Sequence, residues 1–271
     1  MNEWLQITRG DAPLIVSVPH TGTTIPDSTM QHLVSPWLAR KDCDWWIEQL
    51  YGFAKHLGAT WIRTNISRTV IDVNRDPSGV SLYPGQATTE LCPTTTFDGE
   101  PLYKDGATPD AEEIERRKRK YFAPYHDALA SEVRRLRNDH EKIVVYDCHS
   151  IRSSIPRLFD GELPNFNVGT NSGASCDEAL TKAVQDICAE SGFSQTTNGR
   201  FKGGYITRSL GQPDHGVHAI QMELACRSYM QEPIGPVAEG QWPSPYDSEF
   251  AEPMRATLEK ILIAALHFAQ R

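Results

Sequence analysis

A chain of 271 residues, 39% hydrophobic and 23% charged, has the composition of a large globular unit and not of a disordered or fibrous one. By area scaling it can bury roughly three quarters of the surface its unfolded form exposes, so no disulfide staple is required. Its formal charge of −8 at pH 7 argues against nucleic acid and anionic membrane as general partners. An acidic protein that handles an acidic ligand must therefore build a local basic pocket against its own average field.

Glu3, Arg9 and Asp11 precede a short apolar run, which is not a signal-peptide layout. Leu14 to Val18 is a β-rich run that ends at Pro19-His20, a buried strand feeding a loop. Ser35-Pro36 supplies an N-cap and an N1 proline, which predicts a helix to about Leu57 with Gly58 as its stop. Thr60 to Ile66 and Val70 to Val73 read as further strands. From Asp76 to Ala107 the chain is rich in Gly, Pro and Thr, and a loop this long is usually functional; it is the expected lid. Thr108-Pro109 opens the clearest helix, with Ile114, Tyr121, Tyr125, Leu129, Val133 and Leu136 at helical spacing. The basic run Arg116 to Lys120 on that helix is expected to be a solvated face.

Ile143 to Tyr146 is a strand leading into Asp147-Cys148-His149-Ser150. Ser175-x-x-Glu178 has the form of a capping box opening a helix closed by Gly192. Tyr205 to Thr207 and Ala219 to Leu224 are the last expected strands, and an amphipathic helix runs from about Asp247 to Gln270. The longest apolar stretch, Ile261 to Ala269, is too short to span a bilayer. Six scattered cysteines without a C-x-x-C read as reduced thiols of a cytoplasmic protein. Alternating strands and helices predict a single α/β domain over residues 1–271, its central sheet mostly parallel or mixed with helices on both faces. In such folds chemistry sits at the carboxyl ends of strands, here just after Val18, Tyr146 and Met222.

Unusual polar residues occur at those places. On a strand, Val16, Val18 and His20 share one direction, as do Asp147 and His149, and as do Gln221 and Glu223. Cys148 points away from His149, which weakens a cysteine–histidine nucleophile pair. Two imidazoles with a carboxylate form the protein part of a catalytic zinc site, and a further carboxylate can act as general base. A histidine alone is more often a hydrogen-bonded core residue than a ligand. Glu223 is harder to set aside, because a carboxylate in an apolar strand is costly unless paired or functional. Asp42 and Asp44, two apart on the expected helix, are the candidates for the third ligand. In the segment Ser67 to Asp76, Arg68 and Arg75 offer forks suited to a carboxylate, or they pair with Asp72 and Asp76. Lys202-Gly203-Gly204-Tyr205 would let the backbone approach a ligand closely.

At these residues the sequence resembles the N-formylglutamate deformylase (amidohydrolase) family. The matching pieces run in order from residue 17 to residue 223: Ser17-Val18-Pro19-His20-Thr21-Gly22, Asp42-Cys43-Asp44-Trp45, Ser67 through Arg75, Asp147-Cys148-His149-Ser150, Lys202-Gly203-Gly204-Tyr205 and Gln221-Met222-Glu223. The resemblance implies a zinc-exopeptidase-like (phosphorylase/hydrolase-like) α/β fold. It implies hydrolysis of N-formyl-L-glutamate to glutamate and formate, a step of histidine degradation. It also implies zinc, or another divalent metal, on His20, His149 and Asp44, with Glu223 as general base. Asn74-Arg75 looks like the asparagine–arginine pair with which related metallocarboxypeptidases hold a substrate carboxylate. Arg68, Gly203, Gly204 and Arg208 join it as expected substrate contacts, with Arg152 as a weaker candidate. The wider relatives carry H-x-x-E, whereas His20 is followed at the fourth place by Thr23, so Asp42 or Glu223 could replace Asp44. The expected partner is a small dicarboxylate N-acyl amino acid, and oligomeric state is left open. A related acyl-amino-acid deacylase and a non-catalytic ligand-binding homologue are the alternatives.

Overall fold

In the computed structural model, which describes residues 3–271, the β-branched runs become strands buried along their whole length. Leu14–Val18 (β2), Ile143–Ile151 (β4) and Val217–Ala225 (β7) are each buried at every position. A strand covered on both faces needs apolar residues in both directions, which is why these runs do not alternate. With β1 (Leu5–Thr8), β3 (Thr60–Thr64), β5 (Phe166–Gly169) and β6 (Gln195–Thr197) they form one seven-stranded mixed sheet in the order β1-β3-β2-β4-β7-β5-β6. The central strands β3, β2, β4 and β7 are parallel, while β1 joins β3 and β5 joins β7 antiparallel; β6 pairs parallel with β5.

The helices are α1 (Asp27–Met30), α2 (Ile47–Leu50), α3 (Ala111–Arg117), α4 (Ala123–Asp139), α5 (Glu178–Glu190), α6 (Tyr205–Leu210) and α7 (Ser248–Ala269). One face of the sheet sets Val16, Val18, Tyr146, Cys148 and Met222 against Leu258, Ile261 and Leu262 of α7 and Leu180 of α5. The other sets Ile15, Ile62, Val145 and Ala219 against Tyr125, Leu129 and Leu136 of α4 and Ile206 of α6. Asp247 caps α7 by accepting from the backbone N–H of Glu249 and Phe250. Leu258 is fully buried, so Leu258→Ala would cost about 2–5 kcal/mol. No helix of the described residues is long and apolar enough to cross a membrane. All six cysteines are free and buried.

Several expected elements differ. The helix foreseen from Ser35 to Leu57 is broken into short turns: 3₁₀ at Leu38–Arg40, α2, and 3₁₀ at Gly52–Leu57. Ser35 does cap its start, accepting from Trp37 and Leu38 N–H. The break comes where Asp44 N–H donates to His20 O at 3.0 Å and Trp46 takes the left-handed region at φ 65°. Val70–Val73 pairs with no strand. It is a turn whose Val70, Ile71 and Val73 side chains are buried, with Asp72 N–H donating to Leu91 O. Tyr205–Thr207 is helical, since the carbonyl and Oδ1 of Asn74 accept the Tyr205 and Ile206 N–H groups that a helix start leaves unpaired.

Ser175 forms no capping box: its hydroxyl donates to Ala219 O, and Asp177 caps α5 instead. Within the basic run, Arg117 is buried and donates to Val70 O, the Tyr103 hydroxyl and Glu113, while Arg119 and Lys120 are exposed. Asp147 to Ser150 lie within β4 and not after it.

Candidate active site

Register places the first part of the site. In the parallel pair β4–β7, Asp147 lies opposite Gln221 and His149 opposite Glu223, and on β2 Ser17 lies opposite Asp147. Side chains two apart share a face, and the contacts follow. His149 Nε2 sits 2.7 Å from Asp147 Oδ2, Gln221 Nε2 donates to Glu223 Oε2 at 3.0 Å, and Ser17 Oγ donates to Asp147 Oδ1 at 2.8 Å. Cys148 faces the opposite core.

His20 reaches this row only because the strand stops. Extended past Val18, β2 would carry His20 on the face of Val16 and Val18, with Cys148 and away from His149. The chain leaves the sheet at Pro19 and swings the imidazole round, so that His20 Nδ1 lies 3.1 Å from His149 Nδ1. Asp44 completes a triangle, its Oδ2 3.2 Å from His149 Nδ1 and 3.7 Å from His20 Nδ1. A tetrahedral ion with bonds near 2.0–2.1 Å has ligand–ligand edges of about 3.3 Å, so these three donors fit one divalent ion, and all are buried. Asp42 does not compete: it accepts from Phe97 N–H and pairs with Arg152.

Both imidazoles are held from behind. Asp72 Oδ1 lies 2.8 Å from His20 Nε2, as Asp147 does from His149 Nε2. Each carboxylate keeps the proton on Nε2 and turns the Nδ1 lone pair into the triangle, the usual support of a metal-ligating histidine. Burial depresses His20, reinforced by Arg68. Burial also opposes charge on His149, yet Asp147, Asp44 and Glu223 together push it well above the ordinary range. Two facing lone pairs and an acidic group thus call for a positive charge between them, which a proton on His149 or a cation supplies. Burial raises Glu223 to about 7, against the pull of His149.

The triangle opens on a cavity lined by Glu223, Arg68, Asn74, Arg75, Tyr83 and Arg200, among others. Arg68 is at its edge but already bound, with Nη2 donating to Asp72 Oδ2 at 2.7 Å and its guanidinium over the Phe97 ring. The Asn74 amide is likewise engaged, donating to Asp147 Oδ2 and accepting from Ile206 N–H. Arg75 projects further, its Nε and Nη2 donating to Thr89.

Three expected substrate contacts lie elsewhere. Arg152 pairs with Asp98 and Asp42. Arg208 donates to Gly203 O and stacks on Tyr83, behind the cavity wall. Gly203 does not line the cavity; its φ of 110° and the 2.9 Å that a Cβ would leave to Thr207 explain the glycine. Gly204 does line it, but the close approach it permits is to Asn74, whose Nδ2 a Cβ would meet at 2.4 Å. Sequence reasoning missed Asp72 as the support of His20, and Arg200 altogether. An Asp two residues before Asn74 offered only the sign of an arginine partner, and Arg200, beside Gly199, resembles any loop cation.

Donors for a divalent ion, a buried glutamate beside them and arginines lining the same cavity, gathered at the carboxyl ends of parallel strands, define an α/β enzyme of hydrolytic type. Comparison with known proteins narrows this. The N-formylglutamate amidohydrolase family model matches residues 12–230. An N-formylglutamate deformylase of Pseudomonas aeruginosa is 45% identical over 267 residues, covering 98% of this chain and 97% of that protein. Another from Pseudomonas putida is 44% identical over the same lengths. In fold, the chain superimposes on the N-formylglutamate amidohydrolase of Ralstonia eutropha JMP134 with a TM-score of 0.78 at 22% identity, covering 99% of both chains. The chain belongs to the N-formylglutamate amidohydrolase family.

Proposed function

We propose that the protein hydrolyses the formyl amide of N-formyl-L-glutamate to formate and L-glutamate, with a divalent ion, zinc in the first instance, held by His20, Asp44 and His149. The observation that carries this reading is the convergence of two Nδ1 atoms and one carboxylate oxygen within 3.7 Å, across from Glu223. Bound there, the ion would polarise the formyl carbonyl and lower the pKa of the attacking water. The protein's own residues do the rest. Asp72 and Asp147 fix the imidazole tautomers. Glu223, held by Gln221, takes the proton from water and returns it to the leaving amine as the C–N bond breaks. Arg75 holds a carboxylate of the glutamyl part and so positions the formyl group. The identity of near-full-length deformylases supports the substrate. Buried, unpaired thiols fit a reducing cytoplasm, and the family resemblance is the support for assigning the step to histidine degradation.

The test is metal content of protein purified without a histidine tag, measured together with formate release from N-formylglutamate. Formate release that is abolished by chelation and restored by zinc is the expected result. Equal turnover of N-acetyl- or N-succinylglutamate would favour a broader deacylase, and full activity without metal would end the model.

A further inference from the structure

An N-acyl glutamate carries two carboxylates, and the triangle with Arg75 accounts for one. Arg68 is spent on Asp72, Arg152 on Asp98 and Asp42, and Arg208 lies behind Tyr83. One cavity cation is left. Arg200 follows β6 and lines the same cavity as Arg75, His149 and Glu223. Among the described residues no carboxylate comes within ion-pair distance of it. Nε donates to Leu158 O at 2.9 Å and Nη2 to Ala87 O at 2.8 Å. The guanidinium lies over the Tyr83 and Phe201 rings, 5.5 and 5.2 Å from their centroids. These contacts fix the plane of the fork and leave its Nη1 end, with the second proton of Nη2, unspent.

A half-buried guanidinium held rigid by neutral partners is a poor structural device, since two carbonyls and two aromatic faces compensate its desolvated charge less than a carboxylate would. Burial and the nearby Arg75 disfavour its charge against the pull of Tyr83 and Glu223, and an anion between the two cations would offset both. The positions of the two arginines divide the substrate. Arg75 Nε lies 3.8 Å from Asp72 Oδ2, and the other oxygen of Asp72 holds His20, so Arg75 belongs to the reacting end. The amide nitrogen is one carbon from the α-carboxylate, which Arg75 therefore meets. Arg200 stands against Leu158, Phe201 and Ala87, apolar groups suited to the two side-chain methylenes.

We infer that Arg200 is the specificity-determining residue that binds the side-chain carboxylate of the substrate, while Arg75 takes the α-carboxylate. This rests on the reading of the site as an N-formylglutamate hydrolase. The test compares kcat/KM for N-formyl-L-glutamate and N-formyl-L-glutamine, which differ only at the side-chain terminus, in the metal-loaded wild type, R200M, R200K and R75M. Loss of a charge-assisted bidentate contact predicts that R200M lowers the glutamate-over-glutamine preference about 10- to 100-fold. R200K should lower it less, and R75M should depress both substrates together. Parallel losses on both substrates in R200M, or an unchanged preference, would overturn the assignment.

Calorimetry with L-glutamate and L-glutamine gives a second readout that needs no turnover. A wild type that releases no formate would end the proposed reaction. The assignment of Arg200 would then be decided by binding: selective loss of glutamate affinity in R200M supports it, and equal affinities in wild type and R200M overturn it.

Discussion

The two sides of the cavity are built in different ways. His149, Asp147, Gln221 and Glu223 stand on adjacent parallel strands, where register fixes which side chains are neighbours and both strands are wholly buried. Arg75, Tyr83 and Arg200 stand on segments without regular pairing, and their places are set by one or two side-chain hydrogen bonds each, to Thr89, Gly203, Leu158 and Ala87. The sheet side holds one donor, His149, and the proposed base, Glu223; the loop side holds the cations, and His20 and Asp44 complete the triangle from the turn after β2 and the broken segment before α2. On the proposed roles, the glutamate and one donor sit on the rigid scaffold, and selection among substrates falls to the segments that can vary.

If this division is right, substitutions on the sheet side should reduce turnover of every substrate. H149A is expected to lose bound metal and to drop kcat/KM by about 10³-fold or more, since removal of the ion forfeits several kcal/mol of transition-state stabilisation. Metal analysis beside formate assays checks it, and an active metal-free variant would break the comparison. E223Q should keep its metal and lose about 10²–10⁴-fold in kcat. A base must be ionised to act, and burial raises Glu223 to about 7, so wild-type kcat/KM should fall as pH drops below about 7. A bound cation would move that limb lower. A limb well above neutrality, or one surviving in E223Q, would assign the base elsewhere. D147N, which leaves the ligand in place but weakens its support, should cost about 10–100-fold in metal affinity or activity, read by titration with a chelator.

The smallest effect lies far from the cavity. The Arg116 and Arg117 guanidiniums hold the Glu113 carboxylate down at about 2. A depressed carboxylate contributes stability that is present above its unfolded value, near 4.5, and lost as pH falls through about 2. E113Q should therefore lower Tm slightly at pH 7 and flatten its decline on acidification between those values. A parallel decline in both proteins would remove Glu113 from acid sensitivity.

What could be read from the sequence follows the same division. The buried strands announce themselves by apolar runs such as residues 14–16 and 143–146, and period two correctly pairs Asp147 with His149 and Gln221 with Glu223. His20 shows the limit of that rule, because the strand ends two residues before it and the turn reverses its face. Asp44 was legible as a residue type but not as a position: the expected helix would have left it facing at random, whereas the broken segment pins its N–H to His20 O. The apolar Val70–Val73 imitates a strand because burial in a turn asks for the same residues. Arg200 could not be singled out, since its meaning depends on carbonyls 42 and 113 residues away.

The sheet order also has a temporal consequence. The central strand β4 is flanked by one neighbour from residues 14–18 and another from 217–225. During synthesis on the ribosome, the proposed ion-holding triangle cannot close until His149 has emerged, and Glu223 arrives only with β7. A fragment ending near residue 160 thus holds all three donors but lacks β7 and Glu223, so it should be inactive alone, and adding the complementary fragment should restore turnover.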